Sequence, residues 1–447
     1  GSVTLSGPNT FTGAVTIATG TLEVGGAGYL GGGTYAGTIS NAGTLRVSTS
    51  ANQALSGTIS GSGALTKAGT GTLTLADAND YTGVTTVAGG ILSVGTLANG
   101  GTPSSIGAST ADAANLVLNG GTLSYTGAST TIDRGFTIAG TGSTISTVND
   151  LTLTGPVAST GGNLIKTGPG NLILTNPGTN VFGTVNQGLR INGGTLTLDG
   201  GVAGTQTNTV AGEMWLATTP DVPANLVLNN TSLTTASWLA MGRGNGSATS
   251  TLTATNSKIA TAYFSTGYNN ALPNNNSVQN ISLTNSTWTN TGHTYLAESL
   301  DSRTTMTLAG TSSFTSTLRV LVGRGAGSVA SIIVQDNATL TKTGEWFSIG
   351  TENSSTGIVT VKGNGALTST TGDFNLGDVG TSTGILNVQD NGTVTSAGTV
   401  FVGKGATTNG TLNISGGTFT GNSWISIGRY WTSGTGVRAT GVVNVSG

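Results

Sequence analysis

Leu65-Thr66-Lys67-Ala68-Gly69-Thr70-Gly71-Thr72-Leu73-Thr74-Leu75 returns, with small changes, as Leu164-Ile165-Lys166-Thr167-Gly168-Pro169-Gly170-Asn171-Leu172-Ile173-Leu174. Each copy holds two runs of apolar/polar alternation split by glycine, the pattern of short strands joined by tight turns. A second self-match appears at a shift of 70, which lays Leu5, Asn9, Phe11-Thr12-Gly13, Leu22 and Val24 on Leu75, Asn79, Tyr81-Thr82-Gly83, Leu92 and Val94. One small unit is repeated many times. Such a unit cannot bury its apolar side alone, so its neighbours must complete the core, and a stacked solenoid follows.

Residues 214–447 repeat with a shorter period near 26. A glycine closes the first strand of each unit: Gly242, Gly267, Gly323, Gly350, Gly377, Gly403 and Gly428, with Glu298 in that slot in one degenerate unit. Three positions before it stand Leu239, Phe264, Tyr295, Val320, Phe347, Phe374, Val400 and Ile425; one before it stand Met241, Thr266, Ala297, Val322, Ile349, Leu376, Val402 and Ile427. The residue between is often small or polar, as at Ala240, Ser265, Ser348, Asn375 and Ser426, so the strand has one buried face. Two more strands follow, marked by pairs such as Ile332/Val334 and Val359/Val361, then by Ile259, Phe314, Leu340, Leu367, Val394 and Phe419.

Three short strands per coil of about 24–27 residues predict an all-β fold, a single-stranded parallel β-helix or β-solenoid. The turn before the third strand carries Asn256, Asn285, Asn337, Asn364 and Asn391, then Gly416-Gly417. Asn and Gly tolerate a left-handed corner, and stacked Asn side chains can form amide ladders. The pattern divides the chain into 1–201 with the longer repeats, an irregular connection at 202–213, and a regular short-period array at 214–447 that is expected to continue.

Composition narrows the classes. Of 447 residues 75 are Gly, yet no Gly-X-Y triplet runs through them, which excludes collagen. Only 7% are charged, the net charge is -2, and Thr, Val and Ile abound, so the chain reads as strand-rich rather than disordered. Cys is absent, which removes disulfides and thiolate metal sites. No basic run offers a phosphate-binding surface, and no apolar run of ~18 residues spans a membrane, so neither a nucleic-acid partner nor a membrane span is expected in this segment.

Catalytic patterns are weak. The best vertical carboxylate pair, Asp336 and Asp390, lies in one turn position two coils apart with Lys362 one position earlier in the coil between. It reads as a solvated turn, with an acid/base pair as the alternative because some polysaccharide-acting enzymes share this fold and use separated carboxylates. His293, the sole histidine, sits in a polar Thr291-Gly292-His293 turn without a metal-ligand set. Gly242-Arg243-Gly244-Asn245-Gly246 lacks the Lys-Ser/Thr pair and the helix of a phosphate loop. No cofactor, metal or catalytic residue is expected.

Leu73-Thr74-Leu75, Asn79-Asp80-Tyr81-Thr82-Gly83-Val84-Thr85-Thr86-Val87 and Gly90-Ile91-Leu92-Ser93-Val94 resemble the autotransporter-associated β-strand repeat of bacterial passengers. Ser2 to Val24 is a second copy, and Gly170 to Leu198 a looser third in which Asn180-Val181-Phe182-Gly183 lacks the Thr before Gly. The resemblance covers residues 1–201, whereas 214–447 matches only as generic β-solenoid repeats. It implies an exported β-helix, secreted or displayed at the bacterial cell surface, and no chemistry. The expected role is a non-enzymatic structural or adhesive segment of a long surface protein or fibre. A polysaccharide-acting enzyme or a carbohydrate-binding module on the same fold remains the alternative.

One recurring exterior feature stands out. Trp238, Trp346 and Trp424 all lie four residues before the landmark glycine, and Arg243, Arg324, Lys404 and Arg429 lie just after it. Alternation places the tryptophans outside. Together these residues form a candidate stripe for surface glycans or for another copy of the chain, assembled laterally or head to tail. Against this stands the reading that the tryptophans fold over a corner and cover the neighbouring coil.

Overall fold

The computed structural model describes residues 1–447 except 76–77, 184–187, 244–246, 248, 269–275, 353 and 430–437. The chain forms two compact units, Gly1–Gly212 and Glu213–Gly447. Each is a β-solenoid of stacked parallel strands, because alternating Thr/Val/Leu runs bury one side and leave the backbone to pair with the coils above and below.

In the first unit, Ser2–Leu5, Thr21–Val24, Thr44–Val47 and Ala64–Lys67 pair in turn, residue for residue. They build one face, which continues through Thr85–Val87, Leu116–Asn119, Phe136–Gly140 and Val157–Ser159. A second face runs through Gln53–Leu55, Thr72–Leu75, Ile91–Val94, Thr122–Tyr125, Ser143–Thr147 and Leu164–Thr167. A third holds Thr130–Ile132, Leu151–Leu153, Asn171–Leu174 and Gly194–Asp199.

The three copies of the longer repeat sit on three different faces. The first pairs Ser2–Leu5 with Thr21–Val24 on face one. The second pairs Thr72–Leu75 with Ile91–Val94 on face two. The third pairs Asn171–Leu174 with Gly194–Asp199 on face three. The self-match at 70 therefore marks a strand, one full coil and its stacked partner, and not a fixed position round the coil.

The lysines of the opening stretch point inward. Lys67 and Lys166 alternate with Leu65 and Leu164 and are 1% and 0% exposed. Lys67 Nζ donates to the carbonyls of Gly69 and, at 3.0 Å, Gly89. Lys166 Nζ donates to Thr167 O at 2.7 Å, Gly168 O at 3.1 Å and Gly193 O at 3.3 Å. Each lysine thus satisfies carbonyls around a corner of the coil. The second unit repeats the device in Leu340-Thr341-Lys342-Thr343-Gly344, where Lys342 Nζ donates to Glu345 O at 3.0 Å and to Thr371 O. Burial pushes each of the three amines down to about 8.

In the second unit the strand partners follow one another by 25 to 31 residues, a wider spread than the 24–27 expected. The pattern of Val329–Val334, alternately half-buried and buried, shows one strand face in the core. Core aromatics stack between coils: Phe347 lies on Phe374 with ring centres 5.0 Å apart and 7° between planes. Trp288 packs between Phe264 and Phe314, its indole N–H donated to Thr261.

The landmark glycines Gly242, Gly267, Gly323, Gly350, Gly377, Gly403 and Gly428 all have φ between 63° and 77°, which explains the residue type. Glu298 is not their counterpart. Thr294, Tyr295 and Leu296 pair with Val320, Leu321 and Val322, so the slot belongs to Ala297, with φ 53°. The one-residue slip reverses the faces: Thr294 and Leu296 are buried, and Tyr295 points out. The missing glycine hid the register.

The asparagine corner is corrected in the same way. Asn256 and Asn285 are left-handed as expected, but later coils place Asp336, Gly363 and Asp390 there, one residue before Asn337, Asn364 and Asn391. The amide ladder nonetheless exists: Asn364 Nδ2 donates to Asn337 Oδ1 at 3.1 Å and Asn391 Nδ2 to Asn364 Oδ1 at 3.3 Å. Asp336 accepts the Gly310 N–H at 2.8 Å and Asp390 that of Gly363 at 3.2 Å. Both carboxylates are thus occupied with the backbone of the preceding coil.

Candidate ligand-binding face

The strands that end in the landmark glycine stack from Met214–Leu216 to Ile425–Ile427, and their outer side carries three columns of side chains. Register fixes the columns. Trp238 pairs with Tyr263. Main-chain bonds from Phe264 to His293, Thr294 to Arg319, Val320 to Trp346, Phe347 to Asp373, Phe374 to Thr399 and Val400 to Trp424 carry that column on. The second column contains Trp215, Ala240 and Ser265, then Tyr295 and later Ser348, Asn375 and Phe401. The third follows the glycines and includes Arg243, Tyr268, Glu298, Arg324, Asp378, Lys404 and Arg429.

The first column is a ladder of contacts. The rings of Trp238 and Tyr263 stack 4.8 Å apart at 22°. His293 follows at 6.1 Å from Tyr263 and lies flat beside Tyr295, at 5.5 Å and 11°. Arg319 donates Nε–H to His293 Nδ1 at 3.3 Å, pairs with Glu345 at 3.0 Å, and places its guanidinium 4.8 Å from the Trp346 ring centre. Trp238 thus lies against the neighbouring coil. Tyr263 and Trp346 still present 37% and 38% of their surface to solvent, and Trp424 82%.

The stripe residues divide. Trp238 and Arg243 share a hollow of about 220 Å³ with Ser265, Tyr268, Tyr295 and Glu298. Ser265 in its lining is small, and Trp238, Tyr268 and Tyr295 make its walls aromatic. The Arg243 guanidinium lies over Trp215 at 4.4 Å and over Tyr268 at 5.0 Å. Arg324 lies over Tyr295 at 4.6 Å, forms an ion pair with Glu298, and reaches Glu352 at 3.4 Å. Burial raises the Glu298 carboxyl above its ordinary range, against the hydroxyl of Ser265 and the charge of Arg324.

Trp346 and Lys404 meet at a second hollow with Glu345, Asp373 and Asp378. Lys404 is paired with Asp378 at 3.0 Å, and Asp378 accepts from Ser348 at 2.7 Å. Arg429 lies over Phe401 at 5.1 Å. Trp424 is three rungs beyond Trp346, with Asp373 and Thr399 between, so the three tryptophans do not form one patch. Gly244, Asn245 and Gly246 of the glycine-rich stretch lie outside the described residues.

Sequence reasoning missed Tyr263, His293 and Arg319 as rungs, and Tyr268 and Glu298 as walls. The signal was available: all five hold the same offsets from the slot as the tryptophans and arginines, but the residue types change from coil to coil. Among the described residues, no group of three or more His, Cys, Asp or Glu could hold a metal ion. The face offers stacked rings and fixed charges.

The fold is a repeat-built β-solenoid, and part of its first unit matches a known repeat family. The passenger-associated-transport-repeat model matches residues 1–24, 65–94 and 164–198, the three stretches whose strand pairs occupy the three faces. The chain is similar to the adhesin BmaC autotransporter of Brucella suis biovar 1 (strain 1330), 34% identical over 200 residues, which cover 43% of this chain and 6% of that protein. The chain thus spans a small fraction of the length of that relative. No solved structure matches. No helix among the described residues is long and apolar enough to cross a membrane.

Proposed function

We propose that this chain is an extracellular, non-enzymatic adhesive segment of a bacterial autotransporter passenger, holding its partner on the outer face of the second unit. The observation that carries this reading is the ladder Trp238–Tyr263–His293–Arg319–Trp346, built outside the core and still partly open to solvent. Glu298, Glu345 and Asp378 on that face are each held in an ion pair, an arrangement suited to fixed recognition rather than proton transfer. Likeness to an adhesin supports the same role.

The test displays the chain on beads or on a non-adherent bacterium and measures attachment to glycan-bearing cells. Attachment that falls to background when Trp238, Trp346 and Trp424 are all replaced by Ala, with the melting temperature kept, supports the reading. Attachment equal to bare beads, or unchanged in the triple variant, removes it.

A further inference from the structure

The geometry points to the hollow around Trp238 and Arg243 as a site for a carboxylate-bearing pyranose, such as a uronic or sialic acid residue of a glycan. The inference rests on the adhesive reading and names its ligand class. Three observations converge. Trp238, stacked on Tyr263 at 4.8 Å, lines the hollow together with Tyr268 and Tyr295, so the C–H face of a sugar ring meets an aromatic wall there. The hollow, about 220 Å³, falls below the roughly 300 Å³ at which drug-sized pockets begin, so it suits a single ring and its substituents.

Charge decides the substituent. Among the described residues Arg243 forms no ion pair, whereas Arg319, Arg324 and Lys404 all do. The Glu298 carboxylate is in contact with Arg324 and feels Arg243 at longer range, so Arg243 is the cation of the hollow with no carboxylate in contact among the described residues. Trp215 and Tyr268 hold the guanidinium over their rings, at 4.4 Å and 5.0 Å from the ring centres. The N–H edge of a guanidinium binds a carboxylate with two parallel hydrogen bonds. Tyr268 and Tyr295 line the same hollow and can offer their hydroxyl groups to the sugar, whereas Ser265 spends its own on Glu298.

The full chain is titrated calorimetrically with a short hyaluronan oligosaccharide and with sialyllactose, and with the carboxyl-reduced, neutral form of each. At least one acid form should bind, and its reduced form should bind about tenfold or more weakly. Arg243→Gln should bring the acid ligand down to the affinity of the neutral one and leave the neutral one unchanged. Arg243→Lys should retain part of the preference, and Trp238→Ala should weaken both forms. Unchanged melting of Arg243→Gln shows that the fold is kept. Equal affinity for acid and neutral forms, an unaffected Arg243→Gln variant, equal binding of an acidic peptide, or no binding of either sugar overturns the inference. Chain-coated beads that attach to cells while these sugars fail to bind would overturn it and leave the adhesive reading in place.

Discussion

Arg319 donates its Nε–H to Nδ1 of His293 at 3.3 Å, a bond that exists only while that nitrogen is unprotonated. Burial, then the Arg319 charge, holds the imidazole below its ordinary value of 6.5, against the pull of Glu345 4.0 Å away. Lowering the pH therefore protonates the unfolded chain before the folded one. The stability this group contributes is present above about pH 6.5 and drains away as pH falls from there to the lowered folded value. Urea midpoints at pH 7.5 and 5.5 should differ more for the parent chain than for His293→Gln; equal differences would exclude this coupling.

The buried amines titrate at the other end. Lys67, Lys166 and Lys342 fall from 10.5 to about 8 in the fold. Between those values the unfolded chain holds more protons, so stability should rise as pH increases from about 8 towards 10.5. Lys342→Met keeps the stem and strips the donor from two corner carbonyls. It should cost about 1–3 kcal/mol, read from denaturant midpoints, and should remove part of the alkaline rise.

Substitution at the landmark slot should separate glycine from its alanine substitute. A Cβ on Gly350, at φ 70°, would stand 2.2 Å from the Thr383 carbonyl oxygen. Gly350→Val should cost more than the ~1–2 kcal/mol of a left-handed backbone alone, since the next coil must also shift. Ala297 already lives at φ 53°, so Ala297→Gly should change stability by less than about 1 kcal/mol. A pair of thermal melts checks both.

Aromatic residues inside and outside should behave oppositely. Phe374 is 0% exposed, stacked on Phe347 and edge-on to Phe419, so Phe374→Ala should cost about 3–5 kcal/mol. Trp424 is 82% exposed, and Trp424→Ala should stay within about 0.5 kcal/mol. Comparable losses for the two would mean that Trp424 packs onto something.

The core was legible because one signal repeats: Val320/Val322, Phe347/Ile349 and Phe374/Leu376 alternate inward in every coil, and the glycine after them marks the register. Where that marker changes, at Ala297, alternation alone allows a slip of one, which puts Tyr295 on the wrong side. The inward lysines were equally open to alternation, since Leu65 and Lys67 stand two apart. A charged side chain reads as exterior until the corner carbonyls that need it are seen. The face was half legible. Trp and Arg drew attention by type, while Tyr263, His293 and Arg319 gain their meaning only from stacking between coils, which a linear sequence does not display.

The placement of one motif on three faces has a consequence for where a turn begins. Ser2–Leu5, Thr72–Leu75 and Asn171–Leu174 are interchangeable phrases at different angles round the coil. The motif therefore carries its own strand-to-strand contact wherever it falls round the coil, and sets no starting angle for a turn.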